Sequence, residues 1–274
     1  RRRWVPLYAG SALLIAGIPL VSLAVGLIVT FSWALSAERL YYATWRALAL
    51  APVGALAAFA TYALITLIVV RGASIGLRAG THPVRSRIGW QMWLTERTMD
   101  AARTYLFPLY ASLLTPWWFR ALGAQIGRGT EISTALVVPK FTVVGDESFL
   151  ADDTMVASYE LGGGWMRIGP ARVAKRAFLG NSGMVAPERK VPKGGLVAVL
   201  SAAPEKAKSG SSWLGSPPVR LRRSTVDNDT DRTFAPPPRL RLARGAVETF
   251  RLVPMIVTYG IGLGVLFALN TLAV

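Results

Sequence analysis

Three long runs of uncharged, apolar residues constrain what this sequence of 274 residues can fold into. They cover residues 4–35, 47–70 and 252–274, and none of them contains Asp, Glu, Lys, Arg or His. A helix of about 20 apolar residues crosses the roughly 30 Å hydrocarbon core of a bilayer. Buried core helices are rarely this long, and a cleaved signal peptide would explain only one run. We therefore predict three transmembrane helices, at residues 1–35, 47–70 and 252–274.

Charged residues are few, and most of them are basic. Hydrophobic residues make up 52% of the chain, charged residues make up 17%, and the formal net charge is +16. Globular proteins carry about 25% charged residues. The basic excess flanks the apolar runs, where anionic lipid attracts it, whereas residues 121–201 are close to neutral. We therefore predict a lipid bilayer, and no nucleic acid, as a partner.

The sequence lacks the side chains that build disulfides, thiolate metal sites and multi-histidine metal centres. It contains no Cys, and its single imidazole is that of His82. Disulfides, thiolate sites and centres of several histidines are therefore not expected. We predict no metal site.

The distribution of Arg indicates how the helices are oriented. Cytoplasmic loops carry an excess of Lys and Arg. Arg residues precede the first run, follow the second and precede the third, whereas the loop at 36–46 has only Arg39 and Arg46. We predict that residues 71–251 are cytoplasmic and that residues 36–46 lie outside. Because the chain begins without Met and ends inside an apolar run, we expect it to be part of a longer polypeptide.

Two segments connect the apolar runs to a central domain. Residues 71–121 show the pattern of amphipathic helices, broken at Pro108 and Pro116. These helices could lie under the bilayer surface or pack on the next domain, and both alternatives remain open. Residues 202–251 lack periodicity and are rich in Ser, Gly, Pro and Arg. For this second segment we predict an extended strap followed by a basic juxtamembrane stretch.

Aliphatic residues recur every six positions in the central domain. The two series are Ile126, Ile132, Val138, Val144, Leu150, Val156 and Val173, Leu179, Val185, Val191, Val197. Each is followed by Gly, Ala, Ser or Pro, which fit tight corners. A period of six matches neither an α-helix nor a hairpin. We predict a cytoplasmic left-handed parallel β-helix at 122–201 with these residues inside, hence a mixed protein of transmembrane α-helices and β-helix. The interruption Tyr159–Arg167 should bulge out as a loop.

Longer strings resemble a known family. They are HPVRSRIGW (82–90), LFPLYASLLTPWW (106–118), FLADDTM (149–155), RAFLGNSGM (176–184) and SSWLGSPP (211–218). The chain resembles the terminal membrane region of nonribosomal peptide synthetases of the ε-poly-L-lysine synthetase family. In that region transmembrane helices alternate with three related cytoplasmic domains, so the resemblance implies that this chain is one of three units in a bacterial cell membrane.

The resemblance also implies a reaction and its partners. In such enzymes an adenylation domain activates an amino acid with ATP and loads it on the phosphopantetheine of a carrier domain. The tandem domains then join residues by aminolysis of the thioester. The implied partners are the carrier domain and sister β-helix domains arranged as a pseudo-trimer. The implied cofactor is the phosphopantetheine of the carrier, and none is bound by this segment itself.

One departure concerns the general base. Hexapeptide-repeat acyltransferases, which the hexads resemble, hold pantetheine between β-helices and often place a His in that groove. Residues 121–201 contain no His. A carboxylate could replace it, another domain could supply the base, or this unit could be a structural copy.

Four residues are candidates for the proton transfer. Asp152 and Asp153 are adjacent acids at a predicted corner and could bind an amine and accept its proton. A solvated corner or an Asx turn is the alternative. Glu160 lies on the predicted loop, from which it could reach a neighbouring domain. His82 lies in a basic stretch close to the membrane, where a lone imidazole is often incidental.

Five residues are candidates for binding substrate or pantetheine. Tyr159 and Trp165 lie on the predicted loop. Asn181 and Ser182 follow a corner glycine and could hydrogen-bond the pantetheine amides, although an Asn ladder inside a β-helix corner is the more common explanation. Lys175 could meet the carrier phosphate, with a solvated surface charge as the alternative.

Two other functions remain open at this point. The chain could be a free-standing membrane acyltransferase that uses coenzyme A. It could also be a non-catalytic scaffold, or part of an exit path for the polymer.

The predicted orientation can be tested by cysteine labelling, because the chain has no native Cys. In intact cells, the variant Ser209→Cys should not be labelled by a membrane-impermeant thiol reagent. The variant Ser36→Cys should be labelled under the same conditions, since the positive-inside rule places this loop outside. The reverse labelling pattern would refute the orientation.

Overall fold

The helices that could cross a membrane form one bundle. The computed structural model describes residues 4–34, 40–222, 234 and 236–272; the N-terminal arginines and parts of the predicted outside loop and strap lie outside these residues. Helices α1 (Val5–Ala34), α2 (Leu40–Ala73) and α6 (Val253–Leu272) contain the three apolar runs. Within the described residues, three helical segments are long and apolar enough to span a bilayer, Val5–Ala34, Tyr41–Ala73 and Pro238–Leu272. These helices indicate association with a membrane, as the apolar runs of the sequence predict.

Glycines allow α1 and α2 to approach closely. A Cβ atom on Gly54 would lie 2.1 Å from the Thr30 hydroxyl oxygen, and one on Gly26 would lie 2.7 Å from the Gly54 carbonyl oxygen. The hydroxyls of Thr30 and Tyr259 are 3.0 Å apart and share a hydrogen bond between α1 and α6. Small residues and interhelical hydrogen bonds are typical of packing in lipid.

Short strands form a three-sided parallel β-helix. Face 1 consists of β2 (Gln125–Ile126), β5 (Thr142–Val144), β10 (Ala171–Val173) and β13 (Lys190–Val191). Face 2 consists of β3 (Glu131–Ile132), β6 (Phe149–Leu150), β11 (Phe178–Leu179), β14 (Leu196–Val197), β15 (Ser212–Leu214) and β16 (Val219–Leu221). Face 3 consists of β4 (Leu136–Val137), β7 (Met155–Val156) and β12 (Met184–Val185). Neighbours within a face are parallel, apart from the antiparallel pair β15–β16. The β-helix is confirmed; its left-handed winding and cytoplasmic position stay predictions.

The sixth-residue aliphatics form its core, although Ile126 at the first coil is only half-buried, and there is one exception. Val144, Leu150, Val156 and the whole second series are at most 2% exposed. The exception is Val138: the preceding residue, Val137, points inward and pairs with Val156. Val138 instead packs outside the coil, beside Leu77. The prediction of Val138 in the core was therefore wrong, because the 3-10 turn Pro139–Phe141 takes the extra residue at this corner.

The predicted bulging loop is a β-hairpin. Strands β8 (Tyr159–Gly162) and β9 (Trp165–Ile168) pair with each other, and β9 also pairs with β1 (Gly80–Pro83) near the end of α2. No strand was predicted at 80–83, because four residues show too short a pattern. The hairpin is thus tied to the chain's own juxtamembrane segment.

Two helices between the membrane bundle and the β-helix position the candidate site. Helix α3 (Arg87–Tyr105) begins at the cap Ser86 and is followed by the 3-10 turn Phe107–Leu109. Helix α4 (Thr115–Leu122) contacts β2 and β3 at the first coil. Its Arg120 donates hydrogen bonds to the carbonyl oxygens of Ile126 (2.9 Å) and Gly127 (2.6 Å). These bonds satisfy backbone acceptors at the open end of the β-helix.

The segment at 202–251 is not extended throughout. Strands β15 and β16 add to face 2, and α5 (Pro238–Thr249) leads through the 3-10 turn Phe250–Leu252 into α6. The two strands lie in the part predicted as an extended strap, and the helix lies in the basic juxtamembrane stretch, for which no conformation was predicted. Pro237 is the N-cap residue of α5 and Pro238 is its first helical residue, where a missing backbone N–H group costs no intrahelical hydrogen bond.

The buried column should dominate the stability of the β-helix. Leu179 is 0% exposed and Leu200 is 73% exposed. The variant Leu179→Ala should lower the free energy of unfolding by about 2–5 kcal/mol, because it leaves a cavity. The matched variant Leu200→Ala should change it by less than about 0.5 kcal/mol. Denaturant unfolding of the purified protein in detergent measures both; equal effects would contradict an aliphatic core.

Candidate functional site

Helix α3 lies across face 3 and encloses a cleft with it. The cleft has a volume of about 400 Å³, within the range of about 300–1,000 Å³ typical of ligand sites. It is lined by Glu96, Arg97, Met99, Asp100, Arg103, Ala135, Leu136, Val137, Val138, Met155, Val156, Ala157, Tyr159, Leu161 and Met184. One wall is therefore apolar strand surface and the other is the charged side of a helix. We call this space the face 3 cleft.

Helix α3 is held in place by its cap and its apolar side. The Gly89 N–H donates to the Ser86 hydroxyl at 3.1 Å. Met99 and Ala102 are buried in the core shared with the β-helix. On the other side of α3, Glu96 and Arg103 are seven residues apart, about two turns, so they point in similar directions. They reach the two edges of face 3.

The predicted acid pair lies at one edge of the cleft. Arg103 donates to an Asp153 carboxylate oxygen at 2.8 Å and also pairs with Asp100 at 3.5 Å. Asp152 accepts hydrogen bonds from the hydroxyls of Ser133 and Thr134. Both aspartates are exposed, but Asp153 is not free, because a guanidinium from α3 compensates its charge.

Two predicted binding residues stack on the same corner. The Ser182 N–H donates to the Asp152 carbonyl oxygen at 2.9 Å, so Asn181 and Ser182 occupy the equivalent corner of the next coil. Asn181 and Ser182 are both exposed. Asp153 (φ 52°) and Ser182 (φ 53°) share the left-handed conformation that this corner requires. The structure thus brings Asp152, Asp153, Asn181 and Ser182 together.

The hairpin forms the opposite edge. Tyr159 is half-buried, and burial, followed by the hydrogen-bonded carboxylate of Glu96, raises the pKa of its hydroxyl. Glu160 pairs with Arg167 at 3.2 Å, and Trp165 is 52% exposed at the hairpin end. His82 is on β1, opposite Met166 of β9, and its Nε2 atom lies 3.2 Å from the Arg78 carbonyl oxygen. Of these four residues, only Tyr159 lines the face 3 cleft.

Lys175 lies apart from the other candidates. With Arg176 it surrounds the carboxylate of Glu147 at the corner between faces 1 and 2, at distances of 3.7 Å and 2.5 Å. The hydrogen bond from Arg176 is the main cause that lowers the pKa of Glu147. The structure does not bring Lys175 to the cleft.

A second cleft begins where the first one ends. It has a volume of about 790 Å³ and is lined by Trp4, Val5, Tyr8, Ala9, Ala12, Val84, Arg85, Gly89, Trp93, Glu96, Tyr159, Leu161 and Met166. Tyr8 and Trp93 form an edge-to-face pair with ring centroids 4.9 Å apart. Because its residues come from α1, α3 and the hairpin, we call it the juxtamembrane cleft. Glu96, Tyr159 and Leu161 line both clefts.

Sequence reasoning missed Glu96 and Arg103 as candidate site residues. Both belong to the polar side of an amphipathic helix, and the spacing of seven was the available signal. That spacing could not show that face 3 would lie opposite. Among the described residues, no group of three His, Cys, Asp or Glu could hold a metal ion.

Comparisons with known proteins show one strong similarity in sequence. No protein-family model matches the chain. It is 34% identical over 218 residues to the delta-poly-L-ornithine synthetase of Acinetobacter baumannii. The match covers 76% of this chain but 16% of the relative, so the chain spans about a sixth of that protein's length.

Solved structures resemble parts of the chain more distantly. A hexapeptide-repeat acetyltransferase of Vibrio cholerae, complexed with acetyl coenzyme A, is 15% identical with a TM-score of 0.35. That match covers 36% of this chain and 60% of the acetyltransferase. A serine acetyltransferase of Brucella abortus is 17% identical with a TM-score of 0.29, and the match covers 59% of this chain and 69% of that enzyme.

The similarity to the polyornithine synthetase confirms that this chain resembles part of an amino-acid-polymerising synthetase.

Proposed function

We propose that this chain is one unit of the membrane region of a nonribosomal peptide synthetase that polymerises amino acids. The observation that carries the proposal is the 34% identity over 218 residues to a delta-poly-L-ornithine synthetase. The unit contributes to aminolysis of an aminoacyl thioester on a carrier domain. It therefore acts as an amide-forming enzyme only together with the rest of the polypeptide.

The proposed reaction defines what the site has to do. The amine nitrogen of one amino acid attacks the thioester carbonyl carbon, a C–N bond forms, and the C–S bond breaks. The amine loses a proton, and the departing sulfur takes up a proton. A site for this reaction needs a proton acceptor close to the amine and walls that limit access of water.

The face 3 cleft supplies walls within a single chain. A bare β-helix presents a flat face, but α3 covers face 3 and encloses about 400 Å³. Leu136, Met155 and Met184 provide an apolar floor. Asn181 and Ser182 leave exposed polar groups at the rim.

These features fit the slender arm of a phosphopantetheine, which has both methylene and amide groups. When bound, this group would supply the thioester; the residues of this chain would orient it along the floor of the cleft.

The roles of the predicted acids follow from their partners. In this proposal Asp152 and Asp153 lie at the end of the cleft, where Asp153 also anchors α3 through Arg103. Glu160 is paired with Arg167 and does not line the face 3 cleft. Asp152 and Asp153 do not line this cleft either, but Asp153 pairs with Arg103, which does, so Asp153 is linked to the cleft through this ion pair. His82 does not line either of the two clefts.

Contact with sister domains remains part of the proposal. Phe149 and Phe178 stack on the outer side of face 2 with ring centroids 5.3 Å apart, and they are 39% and 38% exposed. Exposed aromatic surface of this kind is typical of docking sites. A sister β-helix domain of the same polypeptide is the occupant that the pseudo-trimer hypothesis requires.

A non-catalytic scaffold is the second candidate function. It is favoured by the pairing of Asp153 and Glu160 with guanidinium groups, which leaves neither of them as a free base. Substitution of every acid at 126–201 by Ala without loss of product would support this alternative.

The proposal predicts a separation of two activities. In the complete synthetase, Asp153→Asn should abolish polymer formation, because it removes both the carboxylate at the cleft and the anchor of α3. Loading of the carrier should continue, since adenylation takes place in another domain. Polymer is measured by mass spectrometry and carrier loading by incorporation of radiolabelled amino acid.

The matched control is Glu147→Gln. Glu147 is also an ion-paired acid at a left-handed corner (φ 56°), but it lies at the corner between faces 1 and 2. This variant should keep polymer formation. If Asp153→Asn polymerises at the normal rate, the catalytic assignment of this corner fails.

A further inference from the structure

Glu96 differs from almost every other carboxylate in the described part of the chain. Eight of the described Asp and Glu side chains form salt bridges with Arg or Lys: Asp100, Glu131, Glu147, Asp153, Glu160, Glu188, Glu205 and Glu248. Asp146 accepts a hydrogen bond from the Arg128 backbone N–H, and Asp152 accepts from hydroxyls. The remaining one, Glu96, forms no salt bridge with a described Arg or Lys; it lies beside Tyr159, and its carboxylate contributes to raising the pKa of that hydroxyl.

The carboxylate of Glu96 lies at a place where a ligand could reach it. It is half-buried on α3 and lines both the face 3 cleft and the juxtamembrane cleft. A carboxylate in a partly desolvated position attracts a cation more strongly than an exposed one, because water screens it less. A bound cation would therefore lie where the two clefts meet.

Aromatic side chains line the same clefts. Tyr159 lines both clefts together with Glu96, and Trp93 and Tyr8 line the juxtamembrane cleft. The faces of aromatic rings attract ammonium groups by about 0.5–2 kcal/mol. A free carboxylate beside such rings is the arrangement that recognises an organic ammonium ion.

Two guanidinium groups in these clefts would repel a cationic ligand and so oppose the attraction by Glu96. Arg85 lines the juxtamembrane cleft and Arg97 lines the face 3 cleft. Both are exposed, whereas Glu96 and Tyr159 are half-buried, so solvent screens their repulsion of a ligand more than it screens the attraction by Glu96. Arg103 is already compensated by Asp100 and Asp153.

We propose that Glu96, with the rings of Trp93 and Tyr159, binds a primary alkylammonium group at the junction of the two clefts. The carboxylate accepts hydrogen bonds from the ammonium, and the rings contact its alkyl stem. A ligand can enter from the juxtamembrane cleft while its amine points toward the face 3 cleft.

The identity of this ligand as the acceptor amino acid rests on the proposed function. In that case Glu96 is the group that takes the proton. The bound ammonium first releases one proton to water and becomes the neutral amine. Its nitrogen then forms the new C–N bond as the C–S bond breaks, and the surplus N–H proton moves to a Glu96 carboxylate oxygen. The proton then passes to the departing sulfur, so Glu96 is ionised again.

Binding can be tested without the synthetase reaction. Isothermal titration calorimetry of the 274-residue chain in detergent would use n-butylammonium chloride as the probe, with n-butanol as the uncharged control. The wild-type chain should bind the ammonium and not the alcohol. Glu96→Gln should weaken binding by about tenfold or more, since a hydrogen bond between charged groups is lost.

Two further variants separate the site from a general loss of structure. Glu188→Gln removes an exposed, ion-paired carboxylate outside both clefts and should bind as the wild type does. Trp93→Leu keeps the carboxylate but removes a ring, and should weaken binding severalfold. Binding that is absent in the wild type, unchanged in Glu96→Gln, or equal for n-butanol would overturn the proposal. Failure of the proposed function is read separately, from polymer formation by the Asp153→Asn synthetase.

Discussion

The aliphatic column inside the β-helix is the constraint on which the rest of the structure depends. Each coil contributes buried residues such as Leu150, Leu179 and Val197, and burial of each side chain is favourable by about 1.5–3 kcal/mol. Stacking this column in register also aligns the corners of successive coils. Asp152–Asp153 and Asn181–Ser182 are adjacent for this reason, although 28 or more residues separate them in the chain.

Helix α3 converts that regular scaffold into a site. Its buried residues Met99 and Ala102 belong to the same apolar core as the β-helix. Its polar side faces the strands of face 3, where Arg103 reaches the acid corner and Glu96 reaches the hairpin. Since the hairpin is in turn paired with β1, the juxtamembrane segment holds the second edge of the cleft. The membrane bundle and the β-helix therefore meet around the cleft.

Charge compensation divides the acids of this protein into two kinds. Asp153 and Glu160 were chosen from sequence as chemical groups, but both are paired with guanidinium groups that reduce their electrostatic attraction for a substrate amine. Glu96 has no such partner and is less exposed to solvent. The structure thus moves the strongest candidate for binding an amine from the corner of the β-helix to the helix that covers it.

The sequence by itself determined the elements that depend on local periodicity. Uncharged runs of sufficient length identify the three apolar helices, and the six-residue repeat identifies nearly all inward residues, because burial of one side of a coil requires that spacing. The place of Val138 required the tertiary structure, since one extra residue in the turn at Pro139 shifts the inward position to Val137. The pairing of His82 with the hairpin and the meeting of Glu96 with Tyr159 were likewise decided by tertiary structure. These contacts join residues more than sixty positions apart, and no local pattern specifies which surface α3 will cover.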